Sequence, residues 1–193
     1  NEYEVNIVKN HDQEALSKLN HQIAPFILRR TKNDVLRELP AKFEQVIYAP
    51  MSEEQEKVYN ATLLQARDKI IQTGGENKMY IFSMLTRLRQ ICCHPSLYID
   101  SYAGDSAKLN LLQTIVYDSI QSNHRVLIFS QFTSMLDLLD GALTEMEVKH
   151  FKLTGNTPSE ERFRLVDEFN KNTDIKVFLI SLKAGGTGLN LVG

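Results

Sequence analysis

The sequence predicts an α/β fold in which a helical hairpin precedes a parallel sheet with flanking helices. The first half of the chain carries long helical patterns that are interrupted at Gly74 and Gly75. In the second half, three apolar runs of strand length alternate with amphipathic helices. Strands that are joined through helices by short loops pair in parallel, with right-handed crossovers. The 193 residues, 42% of them hydrophobic, suffice for one globular domain with a core, or slightly more.

The first fifty residues are predicted to hold one helix and one short strand. Residues 12–24 are polar and compatible with a helix. Pro25 would break or start a helix, and Pro40 would stop one, because proline lacks the backbone donor that a helix interior needs. The apolar-leaning stretch 43–48 has the length of a strand.

Two further helices are predicted to pair as an antiparallel hairpin. Ser52 followed by Gln55 fits a capping box, so the first of them should run from Glu53 to about Gln72. Apolar residues recur at helical spacing along both helices. The predicted inward stripes are Tyr59, Leu63, Ala66 and Ile70 on the first helix and Ile81, Met84, Leu85, Leu88, Ile91 and Cys92 on the second.

The predicted sheet begins after a helix that Ser106 opens. Its strands are residues 126–129, 150–153 and 176–182. The first strand is a continuous apolar run, which is typical of a sheet that is buried on both faces. Thr157 is expected to cap the helix that follows the second strand, and Glu160 to close the capping box. The residues of that helix that should face inward are Phe163, Val166 and Phe169.

Composition excludes several classes of function. The net charge is -2 and the pI about 6.2, so any contact with nucleic acid must come from a local patch. Cys92 and Cys93 are adjacent, which suits neither an ordinary disulfide nor a zinc site, as expected for a reducing compartment. No apolar run approaches the ~20 residues that span a bilayer, and the N-terminus lacks a signal-peptide pattern. We therefore expect a cytoplasmic protein with no membrane partner.

Polar loops follow all three predicted strands. Ligands of open parallel sheets bind outside the carboxyl ends of the strands, and hydroxyls, amides and glycines suit close contacts with phosphate. The loops are residues 130–133, 154–157 and 183–190. The third holds Lys183 and a glycine-rich turn, but it lacks the lysine of a Walker A loop and the last glycine of the dinucleotide fingerprint. On its own, this turn fits a ligand-free connection between strand and helix equally well.

Other candidate sites have simpler explanations. The most basic stretch contains Arg29, Arg30, Lys32 and Arg37, which Asp34 and Glu38 partly offset. The neighbours Cys92, Cys93 and His94 lack the spacing of metal ligands, so packing explains them better. No histidine pairs convincingly with a nucleophile.

Six blocks of sequence follow one another in a fixed order. They run from Pro25 to Pro40, Ser52 to Tyr59, Leu88 to Pro95, Val126 to Phe132, Leu153 to Arg162 and Ala184 to Leu191. In this order they closely resemble the C-terminal half of Swi/Snf-type ATPases, which belong to superfamily two of helicase-like motors. The resemblance covers about residue 23 to the end, and the ordered series is far more specific than any single block.

The resemblance implies a motor in which two RecA-like lobes clamp ATP, and in which duplex DNA lies across both lobes. ATP with Mg²⁺ would be bound mainly by the first lobe, which supplies the Walker A lysine and the Walker B acid. By motif, the residues facing one DNA strand would be Ser130, Gln131, Gly155, Arg162, Ser181, Lys183 and Gly185. Those toward the ATP cleft would be Gly186, Gly188 and Asn190.

The resemblance also implies a division of the chain. Residues 1–50 would be a lead-in from the first lobe, 51–100 a helical protrusion, and 101–193 an incomplete second lobe with a partial RecA-like parallel sheet. The partners would be the first motor lobe of the same protein and double-stranded DNA, in the bacterial nucleoid or the eukaryotic nucleus. Because the Walker motifs and the arginine finger are not among the 193 residues, we expect the chain to end within its domain and to hydrolyse ATP negligibly alone.

Two other classes of function stay open on the residues alone. A metabolic enzyme could bind a nucleotide on a doubly wound sheet, although no catalytic constellation supports it. A non-catalytic interaction module could use the helical hairpin as a docking platform, although mutual burial of the two helices explains their apolar stripes more simply.

Overall fold

The chain divides into two units, Asn1–Val46 and Ile47–Gly193. A computed structural model describes residues 2–28, 43–72, 77–186 and 188–192. Several predicted features lie outside these residues. They are the basic stretch at Arg29, Arg30, Lys32 and Arg37 with its acidic neighbours Asp34 and Glu38, the stop at Pro40, and the break at Gly74 and Gly75.

The first unit contains helix α1, Gln13–Ile23, as the polar pattern predicts. The carboxylate of Asp12 accepts hydrogen bonds from the backbone N–H groups of Glu14 at 2.9 Å and Ala15 at 3.1 Å. Such a cap satisfies donors that have no partner within the helix. The helix ends just before Pro25, which confirms that this proline marks a boundary. A helical turn at Glu2–Glu4 and a π-helical turn at Val5–Lys9 precede it.

The strand predicted at residues 43–48 is wrong. Residues 43–50 form neither helix nor strand, and the side chains of Phe43, Val46 and Tyr48 are largely exposed. A strand is stable only when it pairs with a neighbour and buries a face. The apolar composition of this stretch does not by itself supply that partner.

The helical hairpin consists of α2, Glu53–Gln72, and α3, Lys78–Cys93. The bounds of α2 match the prediction, but the predicted faces are partly wrong. Leu63 and Leu85 are 42% and 51% exposed, although both were expected inside. The buried positions of α2 include two polar residues, so the apolar pattern alone misplaced the inward face. They are Gln55, Thr62 and Ala66 on α2 and Met84, Leu88 and Ile91 on α3.

A buried polar junction joins the hairpin to the next helix, α4, Ala107–Gln121. The Gln55 amide donates to the carbonyl of Ile91 at 2.8 Å and accepts from the backbone N–H of Ala107 at 3.4 Å. The predicted capping box is therefore half right. Ser52 Oγ does accept from the Gln55 N–H at 3.2 Å, but the Gln55 side chain bonds across the fold instead of back to its own helix.

The sheet has the predicted parallel strands, β1 (Val126–Ser130), β2 (His150–Leu153) and β3 (Val177–Ser181). Their order is β1-β3-β2, so the last strand in sequence is the central one. The helices between and after them are α5, Thr133–Glu145, α6, Ser159–Lys171, and the single turn α7, Leu182–Gly185. The register aligns Ser130 with Ser181, which brings the loops after β1 and β3 to one edge.

All five residues of β3 are buried. Val177 and Leu179 pack in a core with residues of α4 and α5, and Phe178 and Ile180 pack on the other face with residues of α6. Burying each such side chain stabilises the fold by about 1.5–3 kcal/mol. β3 is thus buried on both faces. The same expectation for β1 is wrong, because Leu127 and Phe129 of this edge strand are exposed.

Helix α6 packs through Leu165 and Phe169, which are buried. Phe163, which was predicted inward, is 75% exposed. Residues 163 and 165 are about 200° apart around a helix, so the burial of Leu165 places Phe163 on the outer face. Within the described residues, no helix is both long and apolar enough to cross a membrane.

Candidate functional site

The three loops at the carboxyl edge of the sheet line one cavity of about 320 Å³. Each strand contributes residues from the turn that follows it. The lining residues are Gln131 and Thr133 after β1, Thr154, Gly155 and Asn156 after β2, Ser181 and Lys183 after β3, and Asp137 on α5. The structure therefore gathers four of the residues that the sequence singled out: Gln131, Gly155, Ser181 and Lys183.

The loop after β2 is held by the side chain of Thr157. Its Oγ1 accepts from the backbone N–H of Thr154 at 3.0 Å, while its own N–H donates to the Thr154 carbonyl at 3.2 Å. The prediction that Thr157 caps the following helix is wrong, since α6 begins at Ser159 with Pro158 before it and no side-chain cap. Gly155 is exposed, and a Cβ added there would meet no atom within 4 Å. The backbone at Gly155 is thus open to a ligand.

The loop after β3 starts with a buried hydroxyl and exposes a cation. Ser181 Oγ accepts from the Ala184 N–H at 3.4 Å and caps the turn of α7. Gly185 lies against the ring of Phe129, where an added Cβ would come within 3.1 Å of Cε1. Lys183 is exposed, and no carboxylate among the described residues lies within ion-pair distance of its ammonium group. Lys183 is therefore the cation that this cavity offers to an anion.

Arg162 approaches the same loop from helix α6. Its guanidinium is half-buried, and Nη1 lies 3.5 Å from the carbonyl of Ala184. Arg164, two residues on, forms ion pairs with Glu161 at 2.6 Å and Glu168 at 3.2 Å on the exposed face. The two arginines thus differ: Arg162 points toward the strand ends, and Arg164 belongs to a solvated charged face.

The residues predicted for a nucleotide cleft lie at and just after the end of α7. Gly186, Gly188 and Asn190 are exposed, and none of them lines the cavity at the sheet edge. Gly188 has φ +68°, a backbone conformation that favours glycine. The Asn170 amide holds the segment by donating to the Asn190 carbonyl at 2.9 Å and accepting from the Val192 N–H at 3.0 Å.

The chemical groups of these three residues are compatible with a nucleotide. They offer exposed backbone and one side-chain amide, which can contact a phosphate or a ribose. Within the described residues, no group of three or more histidine, cysteine, aspartate or glutamate side chains is arranged to hold a metal ion.

A second cavity, of about 390 Å³, lies beside the first, between α3, α4 and β1. Its polar rim includes Arg89, Lys108, Ser130 and Gln131. Arg89 Nη2 donates to Gln131 Oε1, which links the hairpin to the loop after β1. Cys92 also lines this cavity, and burial raises the pKa of its thiol although the Lys108 ammonium opposes the shift. No sequence pattern points to Arg89, because a charged residue on the polar side of a helix carries no periodic signal.

A cluster of charged side chains braces α5 against β2. The Lys152 ammonium lies 2.6 Å from Asp140 Oδ2 and 3.1 Å from Asp137 Oδ1. His150 Nε2 lies 2.9 Å from Asp140 Oδ1. Burial opposes ionisation of Asp140, but the hydrogen bonds from Lys152 and His150 outweigh it and hold its pKa below the usual value. Because Asp137 also lines the edge cavity, Lys152 offsets the one carboxylate that would repel an anion there.

Another cavity, of about 720 Å³, lies at the opposite end of the strands. Tyr117, Met146 and Val148 form its apolar wall, and Lys149 pairs with Asp174 at its rim at 3.7 Å. None of the loops described above reaches it, so it plays no part in the candidate site.

Two family models match the chain. The SNF2-related domain matches residues 1–97, and the helicase conserved C-terminal domain matches residues 107–193. The chain belongs to the Swi/Snf-type ATPases, in superfamily two of helicase-like motors.

Curated relatives agree with this assignment over nearly the whole chain. The chain is 37% identical to a putative ATP-dependent helicase/translocase of Bacillus subtilis, over 98% of this chain and 21% of the relative. It is 34% identical to an uncharacterized ATP-dependent helicase of Mycoplasma genitalium, over 95% of this chain and 18% of the relative. The chain thus spans about a fifth of the length of the relatives it matches.

Solved structures confirm the fold. The SWI2/SNF2 ATPase core domain of Sulfolobus solfataricus matches with a TM-score of 0.72 and 31% identity, over 96% of this chain and 40% of that one. The same core in complex with double-stranded DNA matches with a TM-score of 0.69 and 29% identity, over 90% and 38%.

Proposed function

We propose that this chain binds the phosphate backbone of double-stranded DNA at the carboxyl edge of its sheet, as part of a DNA-dependent ATPase that moves along DNA. The observation that carries the proposal is the convergence of Gln131, Gly155 and Lys183 on one cavity. The Sulfolobus solfataricus core that resembles this chain was solved with double-stranded DNA, which supports the same ligand here.

The chemistry of the cavity suits a phosphate rather than a base. Lys183 supplies a positive charge, and charge-assisted hydrogen bonds to phosphate are stronger than neutral ones. Gly155 allows a phosphate to approach the main chain, because no side chain stands in the way. The Oε1 atom of Gln131 faces Arg89, because a guanidinium can donate hydrogen bonds but cannot accept them. The amide NH₂ of Gln131 is then the group that is available to donate to a phosphate oxygen.

ATP with Mg²⁺ is the proposed cofactor, and this chain would form one side of its cleft. Gly186, Gly188 and Asn190 would contact the nucleotide, while a first motor lobe would hold most of it. When bound, the nucleotide supplies the phosphoryl transfer whose energy drives movement. Arg162 would act indirectly, because its contact with the Ala184 carbonyl holds the turn between the two proposed surfaces.

The proposal predicts binding that depends on salt and ignores sequence. Each phosphate contact that is lost lowers the slope of log K against log salt by about 0.9 for B-form DNA. Lys183→Ala should therefore weaken binding to two unrelated duplexes equally and make the salt slope shallower by about that amount. Fluorescence anisotropy over a salt series measures both quantities.

The matched control is Lys171→Ala. Lys171 lies at the far end of α6, where its ammonium group pairs with Asp167 at 2.7 Å. Lys171→Ala therefore removes one positive charge, as Lys183→Ala does, but at a position distant from the edge cavity. We expect a salt slope equal to that of the unmodified chain. A loss confined to one of the two sequences, or no binding even at low salt, would contradict the proposal.

A further inference from the structure

We infer that Arg89, with Lys108 beside it, extends the phosphate-binding surface from the sheet edge onto the base of the helical hairpin. This rests on the proposed function, because it adds a binding residue to the same DNA path. Arg89 lies near the end of α3 and Lys108 in the first turn of α4, and both line the cavity next to Ser130 and Gln131.

The first step concerns free donors on Arg89. A guanidinium carries five N–H donors in a planar fork that matches a phosphate. Within the described residues, its one side-chain hydrogen bond is to Gln131 Oε1, and no carboxylate lies within ion-pair distance. Arg89 is also exposed. The remaining donors are therefore open to a ligand in solvent.

The second step concerns position. Gln131 lines both cavities, so it joins the proposed phosphate site around Lys183 to the rim that carries Arg89 and Lys108. Neither Arg89 nor Lys108 has an acidic partner among the described residues, whereas Lys57, Lys152 and Lys171 all do. Cations that lack acidic partners and lie along one rim attract the phosphates of a duplex.

The third step separates direct contact from orientation. If Arg89 only aligned the Gln131 amide, replacing it with alanine would remove a hydrogen bond within the protein and leave the salt slope unchanged. If Arg89 binds a phosphate, DNA binding by Arg89→Ala releases fewer counterions than binding by the unmodified chain. The salt slope then becomes shallower by about 0.9. The effect of Arg89→Ala must then persist when Gln131 is already alanine, as a double-mutant cycle shows.

The experiment measures duplex binding by fluorescence anisotropy over a salt series for Arg89→Ala, Gln131→Ala and the double variant. Arg87→Ala is the matched control on the same helix, since Arg87 lies over the ring of Tyr98, 5.3 Å from its centroid, and does not line this cavity. We expect a shallower slope for Arg89→Ala in both backgrounds and an unchanged slope for Arg87→Ala. Circular dichroism melting confirms that each variant is folded.

Each contrary result has a distinct meaning. An unchanged slope, or an effect that disappears in the Gln131→Ala background, overturns the inference and leaves Arg89 with an orienting role only. Equal behaviour of Arg89→Ala and Arg87→Ala also overturns it, while the proposed function stands if Lys183→Ala still weakens binding. Absence of duplex binding by the unmodified chain overturns both.

Discussion

Single side chains of the brace between α5 and β2 make stability depend on pH. The pKa of Asp140 lies below its usual value in the folded chain, so its ionised form stabilises the fold above the ordinary carboxyl pKa of about 3.9. That stabilisation is lost as the pH falls through the lowered pKa. The pKa of Lys152 is raised by its hydrogen bond to Asp140, so Lys152 stays charged throughout that range.

Asp140→Asn should therefore lower the melting temperature at neutral pH and flatten its fall in acid. Asp118→Asn is the control, because Asp118 is exposed and has no ion pair among the described residues. Thermal melts from neutral pH to below the ordinary carboxyl pKa measure the effect. Parallel curves for Asp140→Asn and the unmodified chain would show that the brace does not contribute.

Sequence patterns named loop residues that the fold brings together, but they placed some helical side chains wrongly. Gln131, Gly155 and Lys183 were named from the polar loops and the ordered motifs, and the fold brings them together. Leu63 and Phe163 were expected inside and are exposed. Helical periodicity locates the buried face of a helix only to within about one residue. The element that packs against the helix decides which of the neighbouring residues is buried. Arg89 carries no periodic signal, and its hydrogen-bond partner Gln131 is distant in sequence.

At the scale of elements, the junction at Gln55 determines how the hairpin joins the rest of its unit. Gln55→Leu would leave the Ile91 carbonyl and the Ala107 N–H without their partner, and a buried unsatisfied group costs about 1–3 kcal/mol. We expect urea denaturation to show a loss of stability of that size. Gln65→Leu, on an exposed position of the same helix, should change stability by no more than about 0.5 kcal/mol.

Helix α2, which was predicted correctly, and residues 43–48, which were wrongly predicted as a strand, show why some elements can be predicted and others cannot. Caps and helical spacing are local signals, so the bounds of α2 could be read from nearby residues. A strand depends on a partner that is distant in sequence, and residues 43–48 have none within the described residues. The same limit applies to strand order, because no local pattern places β3 between β1 and β2.

At the scale of the whole molecule, the motifs that the 193 residues contain predict binding without catalysis. The 193 residues contain no Walker A motif. We therefore expect duplex binding by this chain with no ATP turnover above background, with or without DNA. A phosphate-release assay measures this, and turnover that Gly186→Ala abolishes would contradict it.

The central position of β3 has a consequence for the order of folding. β1 and β2 pair with β3 and not with each other, so neither ladder can form before residues 177–181 leave the ribosome. Until then the apolar residues of β1 and β2 have no strand to pair with. Exposed, unpaired segments of this kind tend to aggregate. A nascent chain whose emerged part ends before residue 177 should therefore bind chaperones more strongly than one whose emerged part includes residues 177–181.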